Sequence, residues 1–198
     1  MSESAMVEIN SDAASEYGDT WLVLYDLEGV VRTCDRLLEL IATKSQDHVL
    51  LESLSTAALI KYVRCFGTGQ RTGLCEDDLL GLPGDPVGVH RYFKDLRDKH
   101  IAHSVNPLEQ VRVGAILADD GSVSALGHLA GKNISMSDEQ ARTLKALAVA
   151  IVSRLRQSLD SQHAKLFKWA QEQPRDAFAS SPARITVPDH SALRKPRA

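Results

Sequence analysis

The sequence predicts a mainly α-helical bundle with a small β-hairpin inserted before a long C-terminal helix. Three observations carry that prediction. Apolar residues recur at spacings of three and four along four stretches, the period of a helix with one buried face. Three of those stretches open on residues that cap helices: Asp47, Asp85 followed by Pro86, and Ser137. Between the third and the fourth, the pattern changes to β-branched residues in partial alternation and is broken by Asp120-Gly121, a hairpin turn pair.

With 198 residues the chain is long enough for one domain with a real core. Its 43% hydrophobic and 25% charged content is that of an ordinary soluble protein. No apolar run approaches the roughly 20 residues that span a bilayer, so no membrane association is expected. The first twenty residues carry five acids and no Lys or Arg, unlike a secretory signal. Cys34, Cys65 and Cys75 are odd in number and lack a CxxC spacing, which favours a reduced, cytoplasmic setting over disulfides or zinc. No cofactor or metal motif is present. The aromatic content of 5% argues against a base-stacking platform, and a net charge of −3 against a generic basic nucleic-acid binder. Contact with polyphosphate must then be local, or come from residues 174–198, where five basic side chains face two acids.

Residues 1–18 are small, polar and acidic and are expected to be disordered, as is the Pro-, Ala-, Ser- and Arg-rich tail 174–198, leaving a domain over 19–173. The first helix is placed at 20–44, with Leu24, Leu27, Val31, Cys34, Leu38 and Ile41 as its seam. The second, at 47–66, lines one face with Leu50, Leu51, Leu54, Ala58, Tyr62 and Cys65. GTGQRTG (67–73) reads as a flexible connector with Arg71 at its tip. Phosphate contact is the alternative, although the Gly-Lys-Ser/Thr ending and preceding strand of a nucleotide-binding loop are missing. Residues 74–81 suggest a short helical turn whose acids Glu76, Asp77 and Asp78 form a solvated face rather than a metal cluster. The third helix starts at Pro86 and is stopped by Asn106-Pro107, because the residue before proline is driven out of the α region. Strands are expected at 109–118 and 122–128; a two-stranded hairpin is not stable alone, so it must pack on the helices. The last helix, 137–172, opens on a Ser137–Gln140 capping box. At about 50 Å it outruns the rest of the bundle. It is expected to bend near 158–163 or to pair its distal half with another chain.

The chemistry concentrates in HRYFKDLRDKHIAHSVNP (90–107). Arg97, Asp98, His100 and His103 fall close together near the end of the third helix. A guanidinium, a carboxylate and two imidazoles suffice to bind and cleave a phosphodiester. His90, Lys94 and Arg97 share a face at spacings of four and three. They form either an RNA-contact stripe, with Arg71, or an ordinary solvated face. On an ideal helix His100 lies about 60° from Arg97 and His103 about 120° away, which favours His100 as its partner. A histidine in a last helical turn is also a carbonyl cap.

With RDKHIAH (97–103) at a helix end and this order of helices, the chain resembles the HEPN superfamily over about 150 residues. The signature of that family is an arginine, a polar residue and a histidine separated from the arginine by four to six residues; here Arg97, Asp98 and His103 match it. The continuation AHS (102–104) is typical of one bacterial branch. The resemblance implies a metal-independent endoribonuclease of anti-phage defence or a toxin–antitoxin pair. It also implies a homodimer with the Arg-His pairs of both copies in one cleft, and an antitoxin or other defence protein as further partner. In that scheme His103, ahead of His100, takes the proton of a ribose 2′-OH, Arg97 holds the phosphoryl oxygens, and Asp98 orients a neighbour, giving a 2′,3′-cyclic phosphate. A non-catalytic HEPN-like binding or scaffold module is the alternative.

Overall fold

The computed structural model describes residues 6–67, 72–101, 109–132 and 135–174. It is mainly helical. The order is α1 (Asp12–Ala42), α2 (His48–Arg64), a 3-10 turn (Glu76–Leu79), α3 (Pro86–Leu96), a π turn (Arg97–Ile101), β1 (Glu109–Leu117), β2 (Val123–Lys132) and α4 (Asp138–Glu172). None of these helices is long and apolar enough to cross a membrane.

The start signals read from the sequence act as helix caps. The Asp47 carboxylate accepts from Leu50 N at 2.9 Å and Asp85 from Gly88 N at 2.9 Å, with Pro86 at the first position of α3. Ser137 and Gln140 cap each other reciprocally. Each side chain satisfies an amide that the first helical turn leaves without a partner.

The N-terminal boundary departs from expectation. α1 begins at Asp12, capped by the Ser11 hydroxyl, so the last seven residues of the stretch 1–18 are helical rather than disordered. This also gives part of the length of α4 a partner. The two long helices run antiparallel, joined by Lys145–Asp35 at one end, Arg156–Glu28 at 2.8 Å midway, and a ring contact of Tyr17 with His163 at the other. The added turns of α1 lie alongside α4 as far as Gln162 and His163. α4 stays one uninterrupted helix rather than bending at 158–163, and Phe167 and Trp169 beyond that point are exposed. Tail residues 175–198 lie outside the described residues.

The core sits between α1, α2 and α4. Leu27, Val30, Cys34 and Leu37 of α1 meet Ala58 and Tyr62 of α2 and Leu144, Ala148 and Ile151 of α4. The α1 stripe is rotated from the expected one: Val30 and Leu37 are buried, while Val31, Leu38 and Ile41 pack at its border. Burial pushes the Cys34 thiol up to about 12, leaving it an inert core group. The 3-10 turn is held to α4 by Arg154, which donates to Asp78 O at 2.6 Å and Leu80 O at 2.9 Å.

The hairpin contradicts its expected packing. β1 and β2 pair antiparallel, with Val111 opposite Ala130 and Val113 opposite His128, and a bulge between Ile116 and Leu117. Gly121 takes the positive φ of 82° that the tight turn requires. Strand β2 runs four residues past the expected end at 128. Yet Val111, Val113, Ile116, Leu117, Val123, Leu126 and Leu129 are all exposed. Among the described residues, the ribbon stands off the helical body instead of lying on it. After β2, buried Met136 N donates to the Ser55 hydroxyl of α2 at 3.0 Å and ties the chain back to the bundle.

Candidate functional site at the end of α3

α3 is amphipathic, with Phe93 and His90 buried and Arg91, Tyr92, Lys94 and Asp95 outward. After Leu96 the helix widens into a single π turn over Arg97–Ile101. Such turns carry a one-residue insertion that shifts side chains off the regular helical positions, and they recur at functional sites.

Arg97 and Asp98 are brought together there. The guanidinium Nη1 lies 2.6 Å from the Asp98 carboxylate, and 36% of the Arg97 side chain is exposed. The pair is half-immersed: its geometry is fixed, while one side of the guanidinium remains open to an incoming anion. On the next turn Lys99 and Asp95 pair at 3.2 Å on the open surface. The His100 backbone belongs to the π turn, but its side chain lies outside the described residues, as do all of His103 and Arg71.

The proposed contact stripe of His90, Lys94 and Arg97 does not exist as one face. His90 is 2% exposed, tucked against Phe66 with ring centroids 4.1 Å apart and against Tyr62. Its Nδ1 lies 3.1 Å from the Tyr62 hydroxyl. Burial raises the Tyr62 phenol, so it keeps its proton beside the imidazole. Burial also pushes the His90 imidazole below its ordinary value, with Lys94 and Arg91 in the same direction and Glu76 opposing. His90 is a neutral ring in the core. The sequence holds the signal for this: His90 stands three residues before the core residue Phe93, on the same helical stripe. Lys94 is exposed and forms no ion pair among the described residues.

Around this stretch the acids of the 3-10 turn find definite work. Glu76 binds Arg91 through two hydrogen bonds, of 2.6 and 3.1 Å, which hold its carboxyl below the usual range. Asp78 closes the turn by accepting from Cys75 N at 2.8 Å. The sequence reading missed a second pair altogether. Asp26 of α1, only 3% exposed, is gripped by the fork of Arg64 at the end of α2, with Arg64 Nε at 2.8 Å. Its signal is a carboxylate flanked by the core residues Leu24 and Leu27 on the buried side of a helix, which demands a cation.

Comparison of the chain with protein-family models, with curated protein sequences and with solved structures returns no match.

Proposed function

We propose that the protein is a HEPN-like endoribonuclease working as a homodimer, with Arg97 as the phosphate-gripping residue and His103 as the proton-transfer residue. One observation carries the reading. The guanidinium of Arg97 sits on a π turn at the end of α3, fixed by Asp98 yet partly open to solvent. That is the state a phosphate clamp needs before substrate arrives, since a preset donor fork costs little reorganisation as charge builds on the phosphoryl oxygens.

The chemistry runs from the substrate inward. An imidazole near neutrality removes the 2′-OH proton. The freed oxygen attacks the adjacent phosphorus, the bond to the 5′-oxygen breaks, and a second imidazole, supplied by the other copy, protonates that oxygen. The products are a 2′,3′-cyclic phosphate and a 5′-hydroxyl. The toxin or defence setting, with an antitoxin-like partner, comes with the resemblance and is part of the proposal.

The test is cleavage of mixed RNA by the purified full-length chain. Wild type is expected to yield cyclic-phosphate ends. Arg97→Ala and His103→Ala, with unchanged unfolding midpoints, are each expected to lower the rate at least 100-fold. Equal cleavage by all three proteins overturns the assignment.

The non-catalytic scaffold is a second reading, favoured by the hairpin, whose exposed apolar residues have the character of a protein-binding surface. It predicts no cleavage from any variant and loss of partner capture when Val113 and Leu126 are made polar.

A further inference from the structure

The two faces of the β1–β2 ribbon are unlike. On one, the register sets Val111 opposite Ala130, Val113 opposite His128 and Ala115 opposite Leu126, with the bulged pair Leu117 and Val123 toward the turn. On the other, Gly114 stands opposite Gly127 and Arg112 opposite Leu129. The first face is an aliphatic stripe with His128 at its middle. Val111, Val113, Leu117, Val123 and Leu126 are between 62% and 77% exposed. From Val111 to Leu117 the stripe runs about 20 Å, at roughly 3.4 Å per residue. Among the described residues, the ribbon makes no more than passing contact with any helix of its own chain.

The helical body carries a second uncovered surface. Trp21 meets Tyr17 with ring centroids 6.4 Å apart, Tyr17 meets His163 at 6.2 Å, and His163 stacks on Phe167 at 6.1 Å. Tyr25 extends this band by one helical turn beyond Trp21. Because α4 runs antiparallel to α1, the step from His163 to Phe167 continues in the direction from Tyr25 to Tyr17. The rings therefore form a nearly straight band, of a length to match the aliphatic stripe. Trp21, Tyr25 and Phe167 are each at least half exposed. Aromatic side chains grouped on a surface in this way are the usual anchors of protein interfaces.

Area decides what kind of occupant these surfaces take. A two-stranded ribbon of this length presents a face of about 300 Å², from roughly 3.4 Å per residue and 4.8 Å per strand. Laid once on a foreign surface it would bury about 600 Å² in all, half of what a stable complex needs. Exchanged twice about a twofold axis, the same contact buries about 1,200 Å², which reaches the range of stable interfaces. A second copy also supplies both surfaces at once, so the symmetric arrangement closes and leaves neither stripe nor band uncovered.

We propose that the ribbon is an exchanged arm: in a twofold dimer each copy lays Val113 and Leu126 across Trp21, Tyr25 and Phe167 of the other. The distal half of α4 thereby gains the second chain that its length calls for. The inference rests on the homodimer of the proposed function and names what joins it, but it needs none of the cleavage chemistry.

The experiment is sedimentation equilibrium of the full chain over a range of concentrations, in the absence of RNA. Wild type is expected to be a dimer. The exposed substitutions Val113→Lys with Leu126→Lys, and separately Trp21→Lys with Tyr25→Lys, are each expected to raise the dissociation constant at least tenfold while helix content by circular dichroism stays the same. On a Cys75→Ser background, Leu126→Cys mixed with Tyr25→Cys is expected to give, on mild oxidation, a disulfide between two different chains. A wild-type monomer at every concentration overturns the proposal, whether or not some other protein covers the ribbon. So does a dimer unaffected by the ribbon pair, or one weakened by the ribbon pair and indifferent to the Trp21 and Tyr25 pair, or failure of the mixed cysteine variants to cross-link. A protein that dimerises this way without cutting RNA sinks only the nuclease reading; one that cuts RNA with its arms unexchanged sinks only this one.

Discussion

α1 and the β1–β2 hairpin are both rich in aliphatic residues, but they dispose of them in opposite ways. On α1, Leu27, Val30, Cys34 and Leu37 are fully buried against α2 and α4. On the hairpin, Leu126 is 77% exposed and its cross-strand neighbours are little better covered. Periodicity tells which residues share a face; it does not tell what covers that face. A helix with a stripe finds its partner in the same bundle. A two-stranded ribbon has two faces and two edges, and its apolar residues stay exposed among the described residues.

The sharpest way to break the comparison is one substitution made in both places. Leu27→Ala removes a side chain that has no solvent contact. It should cost roughly 3–5 kcal/mol, the lost transfer energy plus the cavity left behind. Leu126→Ala should cost less than about 0.5 kcal/mol in the isolated chain. Urea unfolding at low protein concentration measures both. A large loss from Leu126→Ala would mean that the hairpin is covered even in the free molecule.

Next in size is the pair of Asp26 and Arg64. Arg64→Ala leaves a carboxylate that is 3% exposed without its main partner, which should cost about 2–3 kcal/mol, less than a fully enclosed pair because the guanidinium side chain is half in water. Adding Asp26→Asn to Arg64→Ala should recover part of the loss. Additivity of the two single effects in unfolding experiments would refute the coupling.

These contrasts also explain what could be read in advance. Asp47, Asp85-Pro86 and the Ser137–Gln140 box act over three residues, so the sequence states them directly, and the helix starts at 48, 86 and 138 follow. The start of α1 carries a local signal too, the Ser11 cap, but residues 12–18 lack a strong apolar stripe and reach α4 through Tyr17 and Glu16, which a local reading does not show. The π turn was hidden for a related reason: Asn106-Pro107 marks where a helix must stop, not where its winding changes. Of the candidate site, the nearness of Arg97 and Asp98 was legible from their adjacency. The inward turn of His90 needed the Phe93 stripe to be extended one step back. Its contact with Tyr62, 28 residues away, could not be read from any local pattern.

A smaller effect should appear with pH. The His90 pKa in the folded chain lies below its ordinary value near 6.5, so the unfolded chain binds the proton more readily. Stability attributable to this ring is fully present above about pH 6.5 and falls as pH drops from there toward the folded value. His90→Gln should flatten that part of the profile, whatever it does to overall stability. A wild-type profile with no decline below pH 6.5, or an equal decline in the variant, would show that another group governs it.

The smallest effects test whether helix and hairpin are cooperative with one another. Ser137→Ala removes the cap of α4 and should cost about 1 kcal/mol. Because α4 supplies Leu144, Ala148 and Ile151 to the core, the loss should register in global unfolding. Asp120→Ala removes an equally local device, the carboxylate that accepts from Ser122 N at 2.9 Å and Ser122 Oγ at 2.6 Å in the hairpin turn. No core residue hangs on that turn. Its loss should leave the unfolding midpoint where it is and appear only as faster amide exchange at Ala118 and Gly121, whose N–H groups close the turn. If Asp120→Ala instead lowers the midpoint as Ser137→Ala does, the hairpin unfolds with the helices, and its exposed apolar face is part of the cooperative body rather than an appendage.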